Sequence, residues 1–468
     1  MSLKALFSAK DMTLGSPYKR ILEFSIPMLL GNIAQQLYNT ADSVIVGIYV
    51  GDNALAAVGS ASPILNLLLA LFVGISTGAG IVVSQAFGAK DRETLSKGIG
   101  TCISLTFVAT VFIMVVGPLI TRPMLTLLGT PDSIMEWCVS YLNIYFFGII
   151  GFFFYNMLSG ILRGLGDSVS ALGFLLLAAA LNVVLDLVFV AGFGMGVPGV
   201  SLATVIAQAI SAVFCFIKLM RMKEHFDLNR STVRMDGSMA KRIIGIGIPS
   251  GITQAIMSMS MMVVQSLTNS MGEMVIAANV IIMRVDGFAM MPNFTFGQAM
   301  SVYTGQNVGA GKWDRVQKGV RQGSILAQSV AIVLVIAILV FGKYLFGIFT
   351  TTSALIDLAV RMMRIMAAGY VAISITQVLG GVMRGCGDTV TPMWISIINT
   401  VVLRVPLAYI LAYYTKSAEF PNGHPYALSI SLLVTWVLGM IFSAVAFRWG
   451  KTRKMIRREM ANQAQLEA

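Results

Sequence analysis

The chain has 468 residues, 56% of them hydrophobic and only 12% charged, with a mean hydropathy of +0.80. Soluble domains carry about 25% charged residues, so the composition excludes a soluble enzyme and points to a polytopic membrane protein. The formal net charge of +12 is better explained by loops facing one side of a bilayer than by nucleic acid.

Hydrophobic runs long enough to cross a bilayer predict twelve helices. In the first half they cover about 20–50, 54–86, 98–121, 134–161, 168–191 and 198–220. In the second half they cover about 241–270, 275–305, 320–348, 355–383, 390–414 and 426–448. The N-terminus shows no short apolar region with a small-residue cleavage site, so the first helix is expected to act as an uncleaved signal anchor.

That first helix is unusual. Between Pro27 and Asp42 it carries Asn32, Gln35, Gln36, Asn39 and a carboxylate, Asp42. On a helix Gly31, Gln35, Tyr38 and Asp42 fall on one stripe. A charge at membrane depth is costly and normally faces a bundle interior or a wet cavity. Pro27 removes a backbone hydrogen bond and is expected to kink the helix near its inner end.

The second intramembrane carboxylate is Asp186, in AAALNVVLDLVFV, with Asn182 one turn earlier on the same face. Counting back from the outer end of each helix places Asp186 ~9 Å and Asp42 ~12 Å below the outer surface. Thr204, on the next, descending helix, lies at nearly the same depth. Two close carboxylates in a low dielectric cannot both stay ionised cheaply. Either one keeps its proton or a small cation such as Na+ sits among these oxygens. The alternative is a structural role, each Asp paired with an Asn or Tyr on a neighbouring helix.

Lys and Arg sort sharply by side. Lys4, Lys10, Lys19, Arg20, the stretches Lys90–Lys97, Lys218–Arg242 and Lys312–Arg321, and the tail from Arg448 to Arg458 fall on one side. The opposite loops hold only Arg122, Lys343 and Lys416. The bias places both termini in the cytoplasm.

The chain also repeats itself. SQAFGAKDRETLSKG at 84–98 resembles TGQNVGAGKWDRVQKG at 304–319, and LSGILRGLGDSVS at 158–170 is echoed by LGGVMRGCGDTVT at 379–391. The offset is about 221 residues. The expected fold is therefore all-α, with two six-helix bundles related by a pseudo-two-fold axis along the membrane normal. Its expected parts are a cytoplasmic tail (1–19), an N-lobe (20–220), a linker (221–240), a C-lobe (241–448) and a second cytoplasmic tail (449–468). In each RGxGD turn the Asp is expected to cap the next helix or meet the Arg. The offset maps Asp42 near Val264, Asn182 onto Leu403 and Asp186 onto Leu407, so the ion chemistry belongs to the first bundle. The second bundle instead has Arg284, Asp286 and Arg404 at depth, which could form an ion pair or shape the field of a cleft.

Cys102, Cys138, Cys215 and Cys386 lack metal-ligand spacing and are expected to be core residues. His225 and His424 lie in loops. GQNVGAGKW (305–313) fails as a phosphate loop, because Trp313 stands where Ser or Thr is required.

Taken together, Pro27 and Asp42 in helix one, the Gln85–Ala89 and Gln306–Ala310 stretches, the paired RGxGD turns and LNxxLD resemble the MATE family of multidrug and toxic-compound exporters, and most closely its DinF-like branch. The resemblance covers nearly the whole chain. It implies alternating access of two lobes, with H+ or Na+ antiported against amphipathic, often cationic, drugs or toxic metabolites. It matches Asp42, Asn182, Asp186 and Thr204 to the coupling residues, and adds Tyr141 and Asn156 as partners from the fourth helix. It implies no cofactor, a monomer in the cell membrane and no nucleic-acid partner. The acids that the NorM-like branch adds in helices seven and ten are missing from QAIMSMSMM and SITQVLGG. A lipid-linked precursor flippase of the same superfamily is the alternative.

Overall fold

The computed structural model describes residues 8–467 except positions 128, 230 and 231; Lys4, counted above, lies outside the described residues. The described residues are almost entirely helical, and the helices are labelled in order. The first half contains α1 (Pro17–Tyr49), α2 (Asp52–Gly88), α3 (Arg92–Leu127), α4 (Asp132–Phe147), α5 (Ile149–Gly164), α6 (Ser168–Asp186) and α7 (Gly196–Met220). The second contains α8 (Gly237–Ser270), α9 (Glu273–Gly309), α10 (Trp313–Gly347), α11 (Ser353–Gly385), α12 (Val390–Ile397), α13 (Val405–Tyr414), α14 (Tyr426–Trp449) and α15 (Lys451–Glu467). Among the described residues ten helices are long and apolar enough to cross a membrane, or eleven when α4 and α5, which meet at 53°, count as one span. The twelfth is α1, whose 33 residues reach ~50 Å but carry the polar stripe.

Two breaks were not legible as gaps in hydropathy. The fourth span bends at Gly148, where an added Cβ would come within 2.1 Å of Val205 on α7. The fifth leaves α geometry at Asp186 and continues as a π-helical segment, Leu187–Gly192. Its counterpart in the second half has a π segment too, Ile398–Arg404, between α12 and α13. Short π segments widen one turn and re-aim the side chains around it, and they recur at functional sites.

The chain divides into two compact units, residues 1–11 with 26–251 and residues 12–25 with 252–468. The first unit packs one continuous apolar core, in which Phe72 and Phe153 stack with ring centroids 3.7 Å apart. Here the N-terminal part of α8 crosses α2 through small residues. A Cβ on Gly74 would meet the Gly251 nitrogen at 2.3 Å, and one on Gly78 would meet the Gly247 nitrogen at 2.7 Å. Two GxxxG pairs thus let the backbones touch, the usual route to tight helix packing where lipid supplies no hydrophobic drive. Arg242 clamps the same crossing by donating to Gln85 Oε1 at 2.6 Å.

In the second unit, residues 12–25 bind the loop between α9 and α10. The Met12 amide donates to Gln306 Oε1 at 2.8 Å, Lys312 donates to the Thr13 carbonyl at 3.0 Å, and Arg315 donates to the Gly15 carbonyl at 2.8 Å. Helix α15 packs on the same loop, with Gln463 donating to the Gly311 carbonyl. Its core gathers Met362, Met363, Met366 and Tyr370 on α11.

Both RGxGD turns act as helix caps. Asp167 accepts from the Ser170 amide at 2.9 Å and its hydroxyl at 2.7 Å, and Asp388 accepts from the Thr391 amide at 3.1 Å and its hydroxyl at 2.8 Å. The glycine before each Asp needs left-handed backbone, with φ +84° at Gly166 and +90° at Gly387. Asp167 also meets Lys218 at 3.5 Å.

Candidate ion-coupling site

The first unit brings together residues from α1, α4, α6 and α7. Asn182 and Asp186 are fully buried. With the Asn182 amide oriented as its neighbours require, Nδ2 donates to Asp186 Oδ2 at 2.8 Å. Its Oδ1 accepts from the Thr204 amide at 3.1 Å and from the Thr204 hydroxyl at 3.2 Å. The Thr204 hydroxyl also lies 3.1 Å from the Val200 carbonyl, so its single proton is shared between two acceptors. Tyr38 stands beside Thr204, which brings α1 to the edge of the same network.

Asp42 completes it. The Asp42 and Asp186 carboxyl groups lie within hydrogen-bonding reach of each other. Asp42 Oδ1 and Asp186 Oδ1 are buried and find no donor among the described residues. Carboxylate oxygens only accept. Two of them facing each other away from bulk water favour a positive charge between them, either a proton shared by the pair or a bound cation.

Tyr141 and Tyr145, one turn apart on α4 with ring centroids at 6.3 Å, are buried close enough to Asp42 to feel its charge. Tyr141 was expected; Tyr145 was missed, although its i,i+4 spacing from Tyr141 would have placed it on the same face. The bend at Gly148 follows these tyrosines at once and sits against Val205, the neighbour of Thr204. The hairpin from Asp186 to Thr204 turns through Gly194 and Gly196, both with positive φ, and returns Thr204 to the level of Asn182.

Other expected residues lie elsewhere. Gln35 donates to Asn39 Oδ1 at 3.3 Å along its own helix, and Asn156 donates to the Phe152 carbonyl at 2.9 Å along α5. Both are satisfied locally and do not reach the carboxyl pair. The ion pair considered for Arg284, Asp286 and Arg404 is not formed. Arg284 is exposed, and Asp286 instead accepts a 2.6 Å hydrogen bond from the Tyr370 hydroxyl. Among the described residues no group of three or more His, Cys, Asp or Glu side chains is placed to hold a metal. Any cation held here would bind the mixed carboxyl, amide and hydroxyl oxygens that suit a hard ion.

The sequence model of the MatE family matches twice, over residues 27–188 and 249–410. The chain belongs to the MatE family. The double match reproduces the internal repeat, and this MATE protein has the family's twelve helices in two six-helix halves. Two proteins of Bacillus subtilis, "Probable multidrug resistance protein YoeA" and "Probable multidrug resistance protein YpnP", are each 30% identical to it. The first match covers 93% of this chain and 95% of the relative, the second 96% and 98%. A solved MATE structure described as the bent conformation superposes with a TM-score of 0.88 at 24% identity, over 98% of this chain and all of the other.

Proposed function

We propose that this MATE transporter exports amphipathic, often cationic, small molecules, drugs or toxic metabolites, in exchange for H+ or Na+. The facing Asp42 and Asp186 carboxyls carry this reading, because two unpartnered buried acceptor oxygens favour a positive charge beside them. That charge is the coupling ion. Asn182 and Thr204 hold Asp186 in place, and Tyr38 links the state of the pair to α1. Loss of the ion leaves two carboxylates in mutual repulsion, which drives α1 away from α6. Pro27 lies inside α1 and lets the helix answer by bending. Such a device serves alternating access: the ion binds from outside, drug is released outward, and the ion leaves inward before drug binds again.

Positive charge on one set of loops supports a plasma-membrane protein with both termini in the cytoplasm. The matched coupling residues support the DinF-like branch, and the protein is taken to act as a monomer without a cofactor. The relatives are named as multidrug resistance proteins, which favours drug efflux over flipping of a lipid-linked precursor.

The test is transport in proteoliposomes with pH and sodium gradients imposed separately. Wild-type protein exports a fluorescent organic cation under one gradient or both. Asp42→Asn and Asp186→Asn each abolish gradient-driven export while remaining inserted and folded. Full-rate export by both variants overturns the assignment.

A further inference from the structure

The second unit contains polar machinery that the coupling site does not use. A cavity of about 120 Å³ is bordered by Arg384 on α11 and by Arg404 and Asn399 on the π segment. A neighbouring cavity of about 270 Å³ shares Arg404 and Met261 with it and is walled by Met283, Met362 and Met366. Arg404 thus lines both chambers, beside Arg384 in the smaller and beside four methionines in the larger.

Neither arginine forms an ion pair among the described residues, although the Asp286 charge still reaches Arg404. Arg404 Nε is buried without a partner. Asp286, the one carboxylate among the described residues lining the two cavities, lies beyond ion-pair distance of Arg404 and takes its hydrogen bond from Tyr370. The Arg384 guanidinium makes no hydrogen bond or ion pair among the described residues. The repeat shows why. Arg163, its equivalent, donates to Ser159 Oγ at 3.2 Å one turn back, whereas the matching position before Arg384 is Gly380. The second half has lost the acceptor and kept the cation. Charge without an ion-pair partner within a membrane is costly and is retained where it binds something.

We propose that the second unit binds the acidic head, carboxylate or phosphate, of an amphipathic molecule between Arg384 and Arg404, with its hydrocarbon tail among the methionines. Guanidinium forks suit such heads, because they donate two parallel hydrogen bonds to one oxyanion. Methionine walls adapt to tails of different shape. The small chamber accepts only the head group, and the larger chamber beyond Arg404 accepts the tail along its methionines.

Trp436 borders the smaller chamber and supplies the readout. The full-length protein in phosphatidylcholine nanodiscs is titrated with 2-bromododecanoate, whose bromine sits beside the carboxylate and quenches a nearby indole. Quenching saturates, is lost in Trp436→Phe, and is not competed by dodecyltrimethylammonium. Arg384→Gln and Arg404→Gln each weaken binding by about tenfold or more, as loss of a charge-assisted bond requires. Arg384→Lys and Arg404→Lys retain most of it. Gly380→Ser restores the internal acceptor and weakens binding with the fold intact, since its Cβ meets only the flexible end of Arg384, at 3.3 Å. Competition by phosphatidate assigns the head to a membrane lipid, and its absence assigns it to a free acid. Non-saturable quenching, equal competition by the ammonium, or unchanged binding in folded Gln variants overturns the proposal. The assay needs no gradient and no residue of the first unit, so its failure leaves the Asp42–Asp186 reading standing, and the reverse holds too.

Discussion

Replacing Asn182 with Ala removes the part that holds the coupling site together. Its side chain makes one bond to a carboxylate, Nδ2 to Asp186 Oδ2 at 2.8 Å, and accepts two from Thr204 at 3.1 and 3.2 Å. A hydrogen bond to a charged group contributes about 1.5–3 kcal/mol and one between neutral groups about 1 kcal/mol. The bond to Asp186 is the one that aims the carboxyl at Asp42. If only that positioning is lost, about 1.5–3 kcal/mol corresponds to a fall of roughly 10- to 140-fold in the population of paired carboxyls, at 1.4 kcal/mol per tenfold. Gradient-driven efflux of a fluorescent organic cation from proteoliposomes falls by the same order. Thr204→Val, which spares the Asn182–Asp186 bond, costs less. The comparison is made at equal insertion, measured by accessibility of a tag. An Asn182→Ala protein that exports at the wild-type rate, with the wild-type dependence on the imposed gradient, refutes the assigned role of Asn182.

Two further outcomes are expected. Gly148→Ala places a Cβ 2.1 Å from Val205 Cγ1 and lowers stability by about 1–3 kcal/mol; the double variant Gly148→Ala/Val205→Ala recovers most of the loss in thermal unfolding, and no recovery would show that the bend does not depend on this contact. The segment before α8 is pinned outside the spans by Arg92, which donates to both Asp227 oxygens at 2.9 and 2.8 Å. That bond holds the Asp227 carboxyl below the usual carboxylate range, and hydrogen bonds from Ser238 and Met239 do the same for Asp236. Groups with depressed values stabilise the docked segment at pH above their unfolded value of about 4 and lose that effect as pH falls through the folded value. Amide exchange across 223–229 and 232–239 is therefore flat from pH 5 to 8, after correction for intrinsic rates, and rises below about pH 4. Loosening between pH 5 and 8 would contradict it.

Much of this molecule was legible in the residue order. Composition places it in a membrane, the offset near 221 residues reveals two halves, and the absence of carboxylates at Val264, Leu403 and Leu407 assigns Asp42 and Asp186 to one half. Counting helical rise even set Asp42, Asp186 and Thr204 at one depth, because rise per residue is nearly constant in a helix. Rotation about the helix axis is not constant where geometry breaks. The π segment after Asp186 and the bend at Gly148 re-aim side chains by fractions of a turn, and neither changes hydropathy. Only the tertiary structure could therefore bring Asp42 to Asp186, add Tyr145 to the wall, and leave Gln35 and Asn156 bonded along their own helices. The second half makes the same point from the other side. Arg284, Asp286 and Arg404 are near in sequence or depth, yet Asp286 bonds Tyr370 on α11 and Arg404 is left facing a cavity. Sequence determined which charges enter the membrane; packing decided which of them meet.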